Sequence, residues 1–294
     1  MKMPGISGPQ LRESLARDGF VKIPSVLSPE ELSKLRAACA RSTALAREGK
    51  WPYIRTLPKQ FPPWTTDVSS GIWGVQHLMH PDLPDHDLFA ESYFTDKVVG
   101  PVKELLQCGD DELIMELYNL LVRPDHDFEL RWHRDDIPAT VSDEEELERL
   151  NEPAFHAQWN LALYNDRSLI VVPGSHKRAR TTKEREADPF EPAMPEQIIV
   201  EMQPGDVVFY NNNILHRGVY DPKVERMTLH GSIGQTKGSK HRSRNVLQHG
   251  VGSWVDSCDF KPLGDPLQTR ANTMRERLIE MGRASGDVGY AHED

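Results

Sequence analysis

The sequence is poor in cysteine, and the three cysteines it has lie far apart. Cys39, Cys108 and Cys258 are odd in number and form no Cys-x-x-Cys pair. A disulfide framework needs paired cysteines, and a thiolate zinc site needs closely spaced ones. The sequence therefore argues against both kinds of site and indicates a reducing, intracellular compartment, which we take to be the cytoplasm.

The sequence also lacks the usual marks of secreted, membrane-spanning and polyanion-binding proteins. It has no charged-then-apolar leader, no apolar run of about 18 residues and no peroxisomal signal in its final AHED. Its formal net charge is -10, so no overall basic field attracts nucleic acid or anionic membranes. We expect a small-molecule substrate and neither a nucleic-acid nor a membrane partner.

What the sequence does contain fits a single globular domain. The chain has 294 residues, of which 38% are hydrophobic, enough to bury a large core. We predict one domain over 1–294, with a barrel core and N-terminal helices in about 10–245 and an amphipathic C-terminal helix at 262–285. This last helix is expected to pack on the barrel or on a second subunit, which makes a homodimer one expected assembly.

A long segment between about 50 and 90 follows neither the helical nor the strand period. It is rich in proline, tryptophan and histidine, and loops this long in compact domains are often lids or binding loops. We therefore predict a lid here. Trp73, Gln76, His77 and His80 are its candidates for contacting the substrate, although packing within the loop is the favoured role of each.

The second half of the sequence carries a series of strand-like runs separated by turns rich in glycine, proline, asparagine and aspartate. They are LIMELYNLLV, FELRWHRD, AFHAQWNLALY, SLIVVPGSH, EQIIVEM, DVVFYNNNILHRG and RMTLHGSIG. Such a series predicts an antiparallel sandwich or barrel. We interpret the acidic run SDEEELERLNEP between the second and third as a solvated surface helix or loop.

The stretch RWHRDD at 131–136 suggests a metal site. Residues i and i+2 of a strand point to one face, so His133 and Asp135 are predicted to project together. One imidazole and one carboxylate are two thirds of the 2-His-1-carboxylate arrangement of non-haem Fe(II) oxygenases. His216, at the end of an apolar strand, is the candidate second histidine, although alone it would be an ordinary edge-strand histidine.

The run RMTLHGSIG predicts a polar face that points into the barrel. Strict alternation divides it into a polar set (Arg226, Thr228, His230, Ser232) and an apolar, packing set (Met227, Leu229, Ile233). A guanidinium on the polar face is able to clamp a carboxylate with two parallel hydrogen bonds. The expected occupant is a dicarboxylate that reaches from the metal to Arg226.

Several motifs together resemble the phytanoyl-CoA dioxygenase family of Fe(II)/2-oxoglutarate oxygenases. They are DGFVKIPSVLSPEEL, HRD at 133–135, SLIVVPGSHK, the PGD turn, and His216 followed ten residues later by Arg226, and the match runs from about 10 to 245. Two departures are a shorter turn, YNDRS, before SLIVVPGSHK, and Gly218 where the family often has a serine.

The resemblance implies a fold and a site. The fold would be mainly β with flanking helices, a double-stranded β-helix of the jelly-roll or cupin-like type. His133, Asp135 and His216 would be the catalytic iron ligands, and Arg226 would bind the distal carboxylate of 2-oxoglutarate. Trp159, in HAQWNLAL, matches a family tryptophan near the cosubstrate and is a second predicted cofactor-binding residue.

The resemblance also implies an enzyme, a 2-oxoglutarate-dependent non-haem iron dioxygenase. It would use Fe(II), 2-oxoglutarate and O2 to oxidise a small organic molecule, with release of succinate and CO2. Hydroxylation is the expected reaction, desaturation is the alternative, and specialised metabolism is the expected setting. Asp135 disfavours halogenation, because related halogenating enzymes carry a small residue in place of this carboxylate.

Two other classes of protein stay open at this stage. One is a cupin-type metal enzyme that uses the same ligands without 2-oxoglutarate, and the other is a non-catalytic small-molecule-binding barrel. The basic run KRARTTKER at 177–185 is a candidate contact for a phosphate or a coenzyme A ester, although a solvated loop is the favoured interpretation.

Overall fold

The computed structural model describes residues 7–153 and 155–289 of the chain. Its α-helices are α1 (Gly8–Asp18), α2 (Pro29–Arg47), α3 (His86–Phe94), α4 (Asp96–Leu106), α5 (Asp143–Leu150), α6 (Thr182–Glu186), α7 (Lys240–Gln248) and α8 (Leu267–Arg283). Its strands are β1 (Phe20–Ile23), β2 (Ile54–Thr56), β3 (Ile72–Val75), β4 (Leu113–Val122), β5 (Phe128–Glu129), β6 (His156–Ala162), β7 (Leu169–Val171), β8 (Ile198–Ile199), β9 (Val207–Tyr210), β10 (His216–Tyr220) and β11 (Met227–Gln235).

The strands form two antiparallel sheets. The larger sheet has the order β1-β9-β6-β11-β4-β3-β2, and the smaller one has the order β5-β10-β7-β8. Non-consecutive strands lie side by side in both, as in a jelly roll. The predicted fold, mainly β with flanking helices in a double-stranded β-helix, is confirmed.

The helices flank the sheets and bury one large apolar cluster against them. α8 packs on β4 and on α7, and its Ala271, Met274 and Leu278 are fully buried. The predicted C-terminal helix therefore uses its apolar face within its own chain. None of the helices in 7–153 and 155–289 combines the length and the apolar character that crossing a membrane requires.

The segment predicted as a lid is divided by the fold. β2 and β3 pair with each other, and β3 pairs with β4, so both belong to the larger sheet. All four residues of β3 are buried. Residues 57–71, between the two strands, contain neither a strand nor an α-helix and form the longest such stretch of the segment. The candidate lid is therefore 57–71 and not the whole of 50–90.

Candidate active site

Two histidines from distant parts of the chain lie side by side. The His133 N–H donates to the His216 carbonyl at 3.0 Å, and the His216 N–H donates to the His133 carbonyl at 3.1 Å. Residues that exchange both bonds are directly opposite each other, with side chains on one face. Their ring centroids are accordingly 4.2 Å apart.

The local structure around these histidines differs from the prediction. β5 ends at Glu129, so 131–136 is not a strand, and His216 begins β10 and does not end β9. Strand alternation therefore does not bring Asp135 beside His133. Asp135 is instead positioned by two hydrogen bonds, from its N–H to the Asn212 carbonyl and from the Gln158 side-chain amide to its carboxylate, both 2.9 Å long.

The three predicted metal ligands meet at one point. One Asp135 carboxylate oxygen, Oδ1, lies 3.5 Å from His133 Nε2 and 3.6 Å from His216 Nε2. The potential ligand atoms of the three residues all lie within 4.8 Å of one another. The structure therefore brings together the residues that the sequence singled out, in a group able to hold a metal ion.

Hydrogen bonds orient both imidazoles for metal binding. His133 Nδ1 lies 2.8 Å from the Arg131 carbonyl, and His216 Nδ1 lies 2.8 Å from the Ile214 carbonyl. A carbonyl only accepts, so each Nδ1 carries the proton and each Nε2 presents a lone pair. Metal-binding histidines are commonly oriented by this kind of partner.

The ionisation of the group also suits a divalent cation. Burial lowers the pKa of His216 to about 4, so its ring is neutral at neutral pH. Burial by itself raises the pKa of Asp135, but His216, His133 and the Gln158 hydrogen bond outweigh it, and the pKa lies well below its usual value. Two imidazoles and one carboxylate are the donor set of a non-haem Fe(II) site.

Buried histidines make the metal-free protein sensitive to acid. Burial lowers the pKa of His77 to about 3 and that of His216 to about 4, whereas both titrate near 6.5 when unfolded. Below about pH 6.5 the unfolded chain therefore binds protons that the folded chain does not. The free energy of unfolding should fall by about 1.4 kcal/mol per pH unit for each of the two.

Urea denaturation of EDTA-treated protein between about pH 7 and about pH 5 measures this effect. The variant His77→Phe, which has no titrating group at this position, should show a shallower slope. A free energy of unfolding that does not change over this interval would contradict the prediction.

A cavity of about 230 Å³ opens onto the three predicted ligands. This volume lies just below the range of about 300–1,000 Å³ that is typical of small-molecule sites. It is lined by residues of both sheets, with His230 and Ser232 contributed by β11 and Arg226 by the residue directly before it. Three of the four residues predicted for the polar face thus line the cavity, whereas Thr228 is buried and donates to Asp166. The apolar residues lie in the large core cluster (Met227, Leu229, Ile233).

Arg226 lies in the cavity wall, where Asp166 and Tyr220 contact its guanidinium group. Its Nε is 3.1 Å from Asp166 Oδ2, and its guanidinium carbon lies 4.5 Å from the Tyr220 ring centroid. Asp166 also accepts from the Ser168 and Thr228 hydroxyls and belongs to the short turn YNDRS. The departure at this turn thus supplies a buried carboxylate that orients Arg226. Nη1 of Arg226 is buried without a hydrogen-bond partner.

Trp159 lies on the opposite face of β6 from the cavity. Its side chain is fully buried in the core against Tyr93 and Phe209, while Gln158 and Asn160 line the cavity. The structure therefore does not bring Trp159, predicted to bind the cosubstrate, to the cavity. Alternation along β6 explains the difference, because neighbouring residues of a strand point to opposite faces.

Of the four residues of the long N-terminal segment that were candidates for contacting the substrate, one lines the cavity and three do not. Trp73 lines the cavity, together with Gln60, Phe61 and Trp64 of 57–71. Gln76 is buried. His77 and His80 pack in a cluster of rings that does not line the cavity (Trp51, Tyr53, Trp254). Sequence reasoning missed Arg55 and Tyr220, which also line the cavity. Arg55 lies on a strand too short to show a period.

A family model described as phytanoyl-CoA dioxygenase (PhyH) matches residues 15–219. The chain belongs to this family. As a member of the phytanoyl-CoA dioxygenase family it is a 2-oxoglutarate-dependent non-haem iron enzyme of the oxygenase type, with Fe(II) as cofactor, 2-oxoglutarate as cosubstrate and O2 as oxidant. The family predicted from the sequence is confirmed. A comparison with curated proteins finds no match.

Solved structures share the fold at low sequence identity. AviO1 from Streptomyces viridochromogenes Tue57 is 19% identical with a TM-score of 0.56, covering 79% of this chain and 96% of AviO1. EctD from S. alaskensis, solved with 2-oxoglutarate and 5-hydroxyectoine, is 18% identical with a TM-score of 0.57, covering 80% and 78%. HygX from Streptomyces hygroscopicus, with nickel and 2-oxoglutarate bound, is 18% identical with a TM-score of 0.55, covering 79% and 88%.

In this member of the phytanoyl-CoA dioxygenase family, the arginine between the predicted ligands is structural. Arg134 is fully buried, and its Nε donates to Glu146 of α5 at 2.7 Å. Its remaining nitrogens donate to the carbonyls of Ser175, Arg178 and Asn213. Arg134 thus ties the HRD segment to α5 and to the turn that precedes β10.

Glu146 is the anionic centre of this arrangement. It is 0% exposed, so the interpretation of the acidic run as a solvated face is wrong at this residue. Arg180 and Arg185 of the basic run also form ion pairs with it. These two cations of 177–185 are therefore paired within the chain, which weakens the case for this run as a phosphate or coenzyme A contact.

We expect Glu146→Ala to cost about 3–5 kcal/mol of stability, because it leaves buried arginine charges without their carboxylate. Urea denaturation measures the loss. Glu145→Ala on the same helix is the matched control. Glu145 pairs with Arg149 at the surface, where an ion pair contributes about 1 kcal/mol or less. Equal stability of the two variants would contradict the prediction.

Proposed function

We propose that this oxygenase hydroxylates a small organic molecule at an iron held by His133, Asp135 and His216, with 2-oxoglutarate bound through Arg226. Desaturation at the same centre is the second candidate reaction. The observation that carries the proposal is the convergence of two imidazole Nε2 atoms on one oxygen of Asp135. We further propose that the chain is one domain with 57–71 as its lid.

The donor set fits Fe(II). The two Nε2 lone pairs and the ionised carboxylate form a 2-His-1-carboxylate group, which binds Fe(II) and leaves other coordination positions open. When bound, iron supplies activation of O2, coupled to decarboxylation of 2-oxoglutarate to succinate and CO2. Gln158 keeps Asp135 oriented through a hydrogen bond to the oxygen that faces away from the histidines. An aspartate at this position also disfavours halogenation.

Arg226 fits the distal carboxylate of the cosubstrate. Its unpartnered, buried Nη1 is a donor without an acceptor, and Asp166 holds the guanidinium in place from the other side. A carboxylate there would satisfy the orphaned donor, whose burial is otherwise costly. A lysine would not offer the same planar fork.

Tyr220 accounts for the glycine at position 218. A Cβ at Gly218 would lie only 2.4 Å from the Tyr220 hydroxyl oxygen, so the tyrosine already occupies the space of a side chain there. The Tyr220 ring also stacks on Arg226. We propose that the Tyr220 hydroxyl replaces the serine hydroxyl that is frequent two residues after the second histidine in this family.

The lid should become ordered when the site fills. Phe61 and Trp64 of 57–71 line the cavity, so a bound ligand gains contacts with them. We expect amide hydrogen exchange in 57–71 to slow when Fe(II) and 2-oxoglutarate are added without oxygen. β3, at 72–75, serves as the internal control because it is already buried and paired. Exchange in 57–71 that is as slow as in β3 before any addition would show that 57–71 is no lid.

The proposed function is tested by adding Fe(II) and then 2-oxoglutarate under anaerobic conditions. The expected result is the weak visible charge-transfer band of the chelate, followed by succinate release when O2 and candidate metabolites are supplied. Iron binding without any 2-oxoglutarate binding would favour a cupin-type enzyme instead. A protein that binds neither would be a non-catalytic binding barrel.

A further inference from the structure

Arg55 is one of the four arginines that line the cavity, and the fold leaves space for its side chain. It lies on β2 directly opposite Gly74 of β3. A Cβ at Gly74 would come within 3.0 Å of Arg55 Cδ and 3.2 Å of Arg55 Cγ. The absence of a side chain at Gly74 therefore leaves the space in which the arginine stem lies. Any larger residue there would have to displace it.

Aromatic rings hold the head of Arg55. Its guanidinium carbon lies 5.1 Å from the Trp64 ring centroid and 5.0 Å from the Trp73 ring centroid. Both distances are within the range of cation–π attraction. Trp73 belongs to the sheet and Trp64 to the lid, so Arg55 lies at the junction of the rigid wall and the proposed lid.

Arg55 differs from the other arginines of the cavity in having no anionic partner. Arg226, Arg217 and Arg242 pair with carboxylates (Asp166, Glu129 and Glu116). Among residues 7–153 and 155–289, none forms a hydrogen bond or ion pair with Arg55, and its Nε is buried without an acceptor. Burial lowers its pKa to about 10, so it is still charged at neutral pH.

An unpaired, partly desolvated cation costs folding free energy, so its retention calls for a ligand that pairs with it. We propose that Arg55 binds an acidic group of the primary substrate, so that the enzyme oxidises a small organic acid. This inference rests on the proposed function and narrows its substrate class. Phe61, Leu121 and Leu130 line the same cavity and would contact the apolar body of such an acid.

A carboxylate is the acidic group that the surroundings favour, and a phosphate is the alternative source of the same charge. With Arg55 lying against two indole rings, its N–H edge is the part left for a ligand, and a planar carboxylate matches that edge with two parallel hydrogen bonds. The cosubstrate is assigned to Arg226, which directly precedes β11 and follows His216 by ten residues, the spacing that resembles the family.

Isothermal titration with matched acid and amide probes tests the inference. Zn(II) and saturating 2-oxoglutarate are added first, so that the metal and Arg226 are occupied and no turnover takes place. Phenylacetate, benzylphosphonate and the neutral phenylacetamide are then titrated into wild type, Arg55→Gln and Arg55→Lys. Arg17→Gln is the charge-matched control, because Arg17 is exposed on α1 and pairs with its neighbour Asp18.

We expect wild type and Arg17→Gln to bind an acid at least about tenfold more tightly than phenylacetamide, a difference of about 1.4 kcal/mol. Arg55→Gln should lose this preference with 2-oxoglutarate affinity unchanged, and Arg55→Lys should keep part of it. Phenylacetate bound more tightly than benzylphosphonate would support a carboxylate, and the reverse order would support a phosphate.

Three results would overturn the inference. The first is equal affinity of wild type for acid and amide, including no binding of either. The second is an acid preference that survives in Arg55→Gln. The third is a tenfold loss of 2-oxoglutarate affinity in Arg55→Gln, which would assign Arg55 to the cosubstrate. Failure of wild type to bind Zn(II) and 2-oxoglutarate would count against the proposed function alone, because the acid preference is measurable without them.

Discussion

Alanine at any one of His133, Asp135 and His216 should abolish Fe(II) binding and turnover while the fold survives. Each residue supplies one of three protein ligands, and the remaining two form an incomplete site. Even the loss of a partner that merely orients a ligand costs about 10–100-fold in metal affinity, so loss of a ligand itself should exceed about 100-fold. Asp135→Glu should fail as well, because one extra methylene moves the carboxylate away from the two Nε2 atoms.

Anaerobic Fe(II) titration, with circular dichroism to verify folding, measures this effect. Asp136→Ala is the control within the same motif, because Asp136 is exposed and lies outside the group that could hold the metal. Its iron affinity should stay near that of wild type. A folded variant at any of the three positions that keeps both iron and full activity would remove that residue from the site.

Arg226→Ala should weaken 2-oxoglutarate binding more than a hundredfold while iron binding hardly changes. The substitution leaves the distal carboxylate unpaired in a low-dielectric cavity, a loss on the order of 3–5 kcal/mol. Arg226→Lys should recover only part of this loss, since an ammonium does not reproduce the planar fork. The measurement is a 2-oxoglutarate titration of the Fe(II)-loaded proteins.

The pairing with Asp166 provides a control for this experiment. Arg226→Ala also strands a buried carboxylate, which lowers stability on its own account. The double variant Arg226→Ala with Asp166→Asn removes that charge, so it should regain stability without regaining 2-oxoglutarate affinity. An unchanged dissociation constant in Arg226→Ala would place the carboxylate elsewhere in the cavity, or would mean that 2-oxoglutarate does not bind there.

Local patterns in the sequence predicted where strands lie and which of their residues face the cavity. The run LIMELYNLLV matches β4 from Leu113 to Val122, and the alternation in RMTLHGSIG assigned Arg226 and His230 to the cavity. In each case the polar or apolar character of a residue indicates which face of the strand its side chain occupies. The same reasoning, applied to β6, would have placed Trp159 in the core.

Features that depend on contacts between distant residues were not predictable in this way. His133 and Asp135 do lie together, but through Asn212, Gln158 and the bridge to His216, none of which strand alternation indicates. The pairing of Arg134 with Glu146 joins two charged runs that each look solvated. β2 and β3 are short and separated by prolines, so neither shows a period.

The paired hydrogen bonds between His133 and His216 have a consequence for the lifetime of the protein. They join two parts of the chain that are distant in sequence, and an iron bound to both rings would close the same junction with coordinate bonds. A metal that binds only the folded chain adds about 4 kcal/mol of stability at a thousandfold excess over its dissociation constant. In a cell short of iron, the metal-free enzyme would therefore be inactive and also more readily degraded by proteases. Supply of the metal would then affect the abundance of the protein as well as its activity.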